Sequence, residues 1–322
     1  MNEFQPLQSF LLDGQGGARI IPPTQIGEQG TGQVCWLHLD YKDPASITWL
    51  REESGISEVF IEALLAEDPR PRSLVEGDAL LVVLRGINMN SGADPEDMVS
   101  LRMWVEANRV LTFRHRRVVS AQEVVDQLLA GNGPVSSGDL LHEIVDRILS
   151  RIGEVVGEIA ENADELEELV LTAENREIRA RLSALRRQSI ALRRFIAPQR
   201  ETIARLYAER VPWLNDETRA RLRESADRIT RYIEDLDSAR DHAAVTYEEL
   251  SDRLAEQMNK TMYMLSIVAA IFLPLSLLTG LLGINVGGIP GTQSPIAFAV
   301  VTVAIVIVGV LEWIWFKRRS ML

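Results

Sequence analysis

Two apolar runs dominate the pattern of hydrophobic and polar positions. Met262 to Leu282 reads MYMLSIVAAIFLPLSLLTGLL, and Ile296 to Phe316 reads IAFAVVTVAIVIVGVLEWIWF. Each is roughly 20 residues, which at about 1.5 Å per residue matches the ~30 Å hydrocarbon core of a bilayer. The first has no charged residue, and the second has one, Glu312, near its end. Inside lipid, only helices satisfy every backbone group without closing a barrel. The pattern therefore predicts two transmembrane helices; a pair of buried core helices is the lesser reading, since both runs exceed the ~18-residue threshold for a span. The connection, 283–295, carries no Lys or Arg. Arg253 and Lys260 precede the first run, and Lys317, Arg318 and Arg319 follow the second. The positive-inside rule then puts both chain ends in the cytoplasm and the connection outside.

Upstream the pattern is that of a folded domain. Val34 to Tyr41, Ala79 to Asn88, Val99 to Val105 and Val110 to Arg114 are rich in β-branched, Leu and aromatic residues and read as strands, the last two joined by a turn at Ala107-Asn108-Arg109. Pro44 to Glu53, Ser57 to Ala66 and Ser120 to Ala130 read as helices, the last opened by a capping box of Ser120 and Glu123. From Ser137 to about Tyr207 the spacing is helical: Ile144, Ile148, Ile152, Val155 and Ile159 recur at three or four residues. An acidic stretch, Glu154 to Glu168, precedes a basic one, Arg176 to Arg194, which suggests an antiparallel pair with complementary faces, the second helix ended or bent at Pro198. Asn215-Asp216-Glu217 caps a new helix, and no Pro or Gly interrupts it before Pro274. It runs into the first span, roughly 100 Å from Asn215 to Leu282 at 1.5 Å per residue. Leu222, Ala226, Ile229, Ile233, Leu236, Ala243, Tyr247, Leu250 and Leu254 give it a heptad-like stripe, broken by Arg240. Such a helix needs the helical pair, copies of itself, or both to pack against, so a homo-oligomer is expected.

The fold class is therefore α+β. The expected parts are a cytoplasmic α/β domain (1–135), a cytoplasmic helical hairpin (136–214), a stalk helix (215–261), a first transmembrane helix (262–282), an outer loop (283–295), a second transmembrane helix (296–316) and a basic tail (317–322).

Charge and chemistry add exclusions. The net charge is −12, and the spans carry almost none of it. An acidic cytoplasmic part argues against nucleic acid, whose phosphates need clustered Lys and Arg; it suits either attraction of cations or plain solubility. One cysteine, Cys35, excludes an internal disulfide and a Cys-rich zinc site. The four histidines, His38, His115, His142 and His242, form no HxxxH or HExxH pair and read as structural or surface groups. The acidic 154–168 run reads as a solvated face before it reads as a metal site between subunits. No P-loop, GxSxG or HExxH signature points to an enzyme, and none implies a cofactor. Stepping along the first span by three and four, Asn259, Met262, Ser266, Ala269, Leu273, Ser276 and Gly280 share a stripe, with Leu265 beside it. This is either a pore lining, polar points alternating with apolar constrictions at Met262, Leu265 and Leu273, or helix packing by small residues.

The triplet Gly283-Ile284-Asn285, directly after the first of two C-terminal spans and followed by Val-Gly-Gly-Ile-Pro-Gly, resembles the signature of CorA-type divalent metal-ion transporters. Most of them carry Gly-Met-Asn; the Ile variant is similar to the zinc-transport branch, ZntB. Phe272-Leu273-Pro274, Cys35-Trp36-Leu37-His38, Ala197-Pro198-Gln199-Arg200 and Glu209-Arg210-Val211-Pro212-Trp213 extend the resemblance over nearly the whole chain. It implies a homo-pentameric funnel in a bacterial inner membrane, with the first span lining the pore. It further implies that Asn259, Met262, Leu265 and Leu273 are narrow points, that Gly283, Ile284 and Asn285 form the entrance filter, and that the cargo is Zn2+, with proton-coupled uptake suggested for this branch. A ring of Asn carbonyls would hold a hydrated cation by its water shell. Zinc itself prefers Cys and His, which both spans lack, and Met258, Met262 and Met264 are the only softer atoms nearby. The zinc expectation thus rests on the resemblance, with magnesium, cobalt or nickel as alternatives within the family and a membrane-anchored coiled scaffold as the alternative outside it. Proton coupling has one candidate carrier, Glu312, which sits at the cytoplasmic edge and reads first as interfacial.

Overall fold

A computed structural model describes residues 4–26, 32–172, 176–284, 291 and 294–318. It has seven strands, β1 (Gln8–Leu12), β2 (Ala18–Ile20), β3 (Val34–Asp40), β4 (Arg72–Glu76), β5 (Ala79–Gly86), β6 (Val99–Val105) and β7 (Arg109–Arg114), and seven α-helices, α1 (Pro44–Glu52), α2 (Glu58–Leu65), α3 (Val119–Leu129), α4 (Ser137–Thr172), α5 (Arg176–Ala208), α6 (Asp216–Gly283) and α7 (Ala297–Arg318). The fold is α+β: an N-terminal sheet domain, a long helix and a final apolar helix.

The strands form one mixed sheet in the order β2-β1-β3-β7-β6-β5-β4. Only β3 and β7 pair in parallel; the other neighbours are antiparallel. The hairpin of β6 and β7 pairs Val105 with Val110, closed by Glu106 N–H donating to Arg109 O at 2.8 Å. Between β4 and β5 the turn needs Gly77, whose φ of 58° is in the left-handed region. Every residue of β5 is buried, as expected of a strand covered on both faces. On one face Leu37, Leu39, Leu81, Val83, Leu111 and Phe113 pack with Trp49 and Leu50 of α1 and Ile61 and Leu64 of α2. Against the sheet also lie α4 and α5, which meet β5 and β4. Asp43 caps α1, accepting from Ser46 N at 2.9 Å ahead of Pro44.

The structure revises several local expectations. Ser120 does not cap α3: the cap residue is Val118 with no side-chain bond, Ser120 is buried, and Glu123 is taken by Arg151 of α4. Of the two readings of Pro198, an end is ruled out, since α5 runs on through it to Ala208. Three strands escaped the sequence pattern, β1, β2 and β4.

By its contacts the chain divides into two units, 1–247 and 248–322, and α6 contributes to both. In the first unit, Asn215 Oδ1 caps α6 by accepting from Thr218 N at 2.7 Å. Leu222, Ala226, Ile229, Leu236 and Ala243 are buried as the stripe predicts; Tyr247 is exposed, and Ala239, absent from the expected stripe, is buried. Gly153 of α4 makes room for Tyr232 of α6: a Cβ there would stand 2.4 Å from the Tyr232 hydroxyl.

Candidate functional site

In the second unit, the apolar run of α6 (262–282) and α7 each present one sheltered stripe and leave the rest bare. On that run of α6 the less exposed positions are Ile267, Ile271, Pro274 and Leu275. On α7 they are Ala297, Val301, Ile305, Val308, Gly309, Glu312 and Phe316. Both sets recur at three and four residues, and Gly309 meets the Leu275 side chain: a Cβ added there would lie 3.8 Å from Leu275 Cδ1. These stripes form the seam between the two helices. Both helices are long and apolar enough to cross a membrane. At the far end of α7, Lys317 Nζ sits 4.9 Å over the Trp313 ring, an amphipathic arrangement suited to a bilayer boundary.

The eight residues of the stripe expected on α6 lie away from this seam. Asn259, Met262, Leu265, Ser266, Ala269, Leu273, Ser276 and Gly280 are all exposed, Leu273 at 71%. Nothing lies within 4 Å of a Cβ built on Gly280. Ser266 donates its hydroxyl to Met262 O at 2.8 Å, so its oxygen lone pairs remain for an outside donor. Gly283 is the last residue of α6, with no left-handed φ and open space where a Cβ would go. Ile284 is exposed. Asn285 lies outside the described residues.

The first unit sorts the histidines. His38 is buried in a closed chain of hydrogen bonds. Arg114 Nε–H donates to its Nε2 at 2.7 Å, which leaves the proton on Nδ1, 2.7 Å from Thr112 Oγ1. Trp36 Nε1–H donates to the same oxygen at 2.9 Å, and the Thr112 hydroxyl donates to Leu37 O at 3.3 Å. Burial first, then the Arg114 charge, lowers the His38 pKa to about 3, so the ring is neutral and its lone pair already used. Burial likewise lowers His142, outweighing Asp146 and Glu143. His115 lies 3.4 Å from Asp40, edge-on to Tyr41.

His242 is different. It meets Asp164 and Glu167, an i,i+3 pair on α4, with all three ligand atoms within 4.8 Å of one another and all three residues exposed. Two carboxylates and an imidazole are donors that zinc and other divalent ions accept. Sequence spacing could not show this, because α4 and α6 approach only in the folded chain. The acidic and basic helices are also joined differently from expectation. Among the described residues one ion pair, Glu165–Arg181 at 3.2 Å, links α4 to α5, while Arg193 reaches Asp237 of α6 at 2.8 Å and Asp146 receives Arg228 of α6 at 2.7 Å.

The family model of CorA-like Mg2+ transporter proteins matches residues 31–318. The chain belongs to that family. It is 38% identical over 312 residues to the zinc transport protein ZntB of Yersinia enterocolitica, covering 97% of this chain and 94% of the relative. It is also 38% identical over 317 residues to the divalent cation transporter CmaX of Pseudomonas aeruginosa, covering 97% and 95%. The solved structure of full-length CmaX superposes with a TM-score of 0.87 at 37% identity, covering 99% of this chain and 98% of that one. Family membership accounts for the long helix that runs into an apolar span and for the second apolar helix packed beside it.

Proposed function

We propose that the chain carries divalent cations, zinc foremost, across a bacterial inner membrane through a pore made by five copies, with both termini in the cytoplasm. The observation that carries this is the division of α6 into two faces. Ile267, Ile271 and Leu275 are sheltered at the α7 seam, whereas Asn259, Met262, Leu265, Ser266, Ala269, Leu273, Ser276 and Gly280 are free to line a shared axis. Alternating amide, hydroxyl and hydrocarbon positions suit a hydrated ion moving between wet points and dewetting constrictions. Gly283, Ile284 and Asn285 stand at the outer mouth, where Asn carbonyls meet the arriving cation, and an inward proton gradient drives uptake.

Relatives at the same 38% identity are named for zinc in one case and for divalent cations in the other. Magnesium, cobalt or nickel transport is therefore the second reading. The test is zinc and magnesium flux into proteoliposomes holding the full chain, with and without an inward proton gradient, beside Asn285→Ala. Zinc entry that the gradient accelerates and N285A abolishes is the expected result. Magnesium entry without zinc entry supports the second reading. No divalent flux from the assembled oligomer overturns both and leaves a membrane-anchored scaffold.

A further inference from the structure

The acidic and basic helices of the first unit pack together without neutralising each other. On α4, Glu154, Glu158, Glu161, Glu165 and Glu168 recur at four, three, four and three residues. All are exposed, on the face opposite the buried Ile152, Val155, Ile159 and Leu166. Glu154 is paired with Arg151 of its own helix at 2.8 Å, and Glu165 with Arg181 of α5 at 3.2 Å. Glu158 and Glu161, in the middle of the row, have no cation partner among the described residues. Like charges at these spacings repel along a helix. The opposite sign collects on α5. Arg187, Ile190 and Arg194 stand on the face away from the buried Leu182, Leu185, Leu192 and Ile196. With Arg193, and with Arg240 of α6, they line a surface groove. Arg193 and Arg240 share Asp237 at 2.8 and 3.2 Å, and Arg240 also holds Asp241 at 2.9 Å. Arg187 and Arg194 have no carboxylate partner among the described residues, and Arg194 lies 5.5 Å from the centre of the Phe195 ring. Ile190, between them, is half exposed.

The two surfaces match in spacing and differ in sign. Glu158, Glu161 and Glu165 are separated by three and four residues, and so are Arg187, Ile190 and Arg194. Each set spans about 10.5 Å of helix at 1.5 Å per residue. Within one chain they face apart, because α4 and α5 pack through their buried residues and each charged row points away from that packing. A polyanion would fill the groove and leave the glutamate row unanswered; a second copy answers both. We propose that the glutamate row of α4 docks into the arginine groove of α5 and α6 on a second copy of this chain. The contact joins two different surfaces, so each copy offers one to each neighbour, and repeated about an axis it closes a ring. Exposed charge pairs add little affinity but set partner choice and register, so the contact aligns neighbouring copies. This rests on the assembly of several copies proposed above and adds which surfaces meet.

The test co-expresses two full chains with different tags, one carrying Glu161→Cys and the other Ile190→Cys, and oxidises the purified protein in detergent. Cys35 is buried and stays in both. Because each chain has one new thiol, a disulfide between the tags can form only between copies. The mixed dimer is expected to exceed dimers of either chain with itself at least about fivefold, and to fall by a similar factor when Arg187→Glu and Arg194→Glu are added to the second chain. Adding Glu158→Arg and Glu165→Arg to the first chain is expected to restore it, a rescue that a misfolded variant would not show. Light scattering on the same sample counts the copies. An oligomer that yields no mixed dimer overturns the proposal and leaves the transport reading standing. A sample of single copies overturns both.

Discussion

The strand β5 and the helix α7 are nearly alike in composition and opposite in fate. Each is a largely apolar run with a charged residue near its C-terminal end, Arg85 in β5 and, ahead of the closing Lys317 and Arg318, Glu312 in α7. The chain buries all of β5 by itself, but of α7 it buries only Phe316. The charges follow suit. Arg85 is bonded at all three guanidinium nitrogens: Nε and Nη2 donate to Pro69 O at 3.3 and 3.0 Å, Nη1 donates to Met98 O at 2.9 Å, and Asp68 accepts from Nη2. Its guanidinium also lies 4.7 Å over the Phe195 ring. Glu312 has one enclosed oxygen, Oε2, with no hydrogen-bond partner among the described residues. An apolar run that its own chain covers is core, and its charge is structural. An apolar run that its own chain leaves bare is built for another solvent, and a charge held there is available for chemistry.

The comparison breaks most readily where burial is complete. Leu81 of β5 has no exposed surface. Leu81→Ala removes buried hydrocarbon and leaves a cavity, so a loss of about 2–5 kcal/mol is expected, a fall in melting temperature on the order of 10 °C for the full-length protein in detergent. A shift of a degree or less would mean that the sheet is not the compact half of the molecule. A smaller effect comes from His38 of β3. Its ordinary pKa is 6.5 and burial holds it near 3. As pH falls below 6.5 the unfolded ring takes a proton that the folded ring refuses, so the unfolded state binds more protons and stability falls. The loss is on the order of 2 kcal/mol at about pH 5 and grows as pH falls further toward the folded value. Melting curves of the wild type and His38→Gln at about pH 7.5 and about pH 5, either side of the unfolded pKa, isolate it. Parallel curves for the two proteins would show that the ring is not held neutral.

What the sequence could show follows the same division. The two long apolar helices were legible from the length of their apolar runs, and α4 because Ile144, Ile148, Ile152, Val155 and Ile159 are all buried at the expected spacing. The missed strands lack such self-sufficiency. β4 begins and ends in charged residues and β2 has three residues, and each is held by one neighbour, β5 and β1. Local rules failed where a distant partner intervened: Glu123 left its capping role for Arg151, and Gln199 in the Ala-Pro-Gln-Arg segment accepts the Arg85 N–H at 2.7 Å across 114 residues. For the α6 stripe, periodicity groups the residues, but which group is free depends on where α7 packs. The meeting of His242 with Asp164 and Glu167 likewise depends on two helices approaching.

The same Leu-to-Ala change made at Leu273 sharpens the contrast and should cost least. This side chain is 71% exposed and stands opposite the α7 seam. If it faces a shared aqueous axis, truncation removes little packing, and the stability change stays within about 0.5 kcal/mol, as for exposed positions generally. Its effect should appear in flux instead, because a ring of smaller side chains widens the narrow point and makes it easier to wet. Faster divalent entry at an unchanged melting temperature is the expected pair of results. A melting loss approaching that of Leu81→Ala, with flux unaltered, would mean that another copy packs on Leu273, and the free face of α6 would then be an interface between copies instead of a lining.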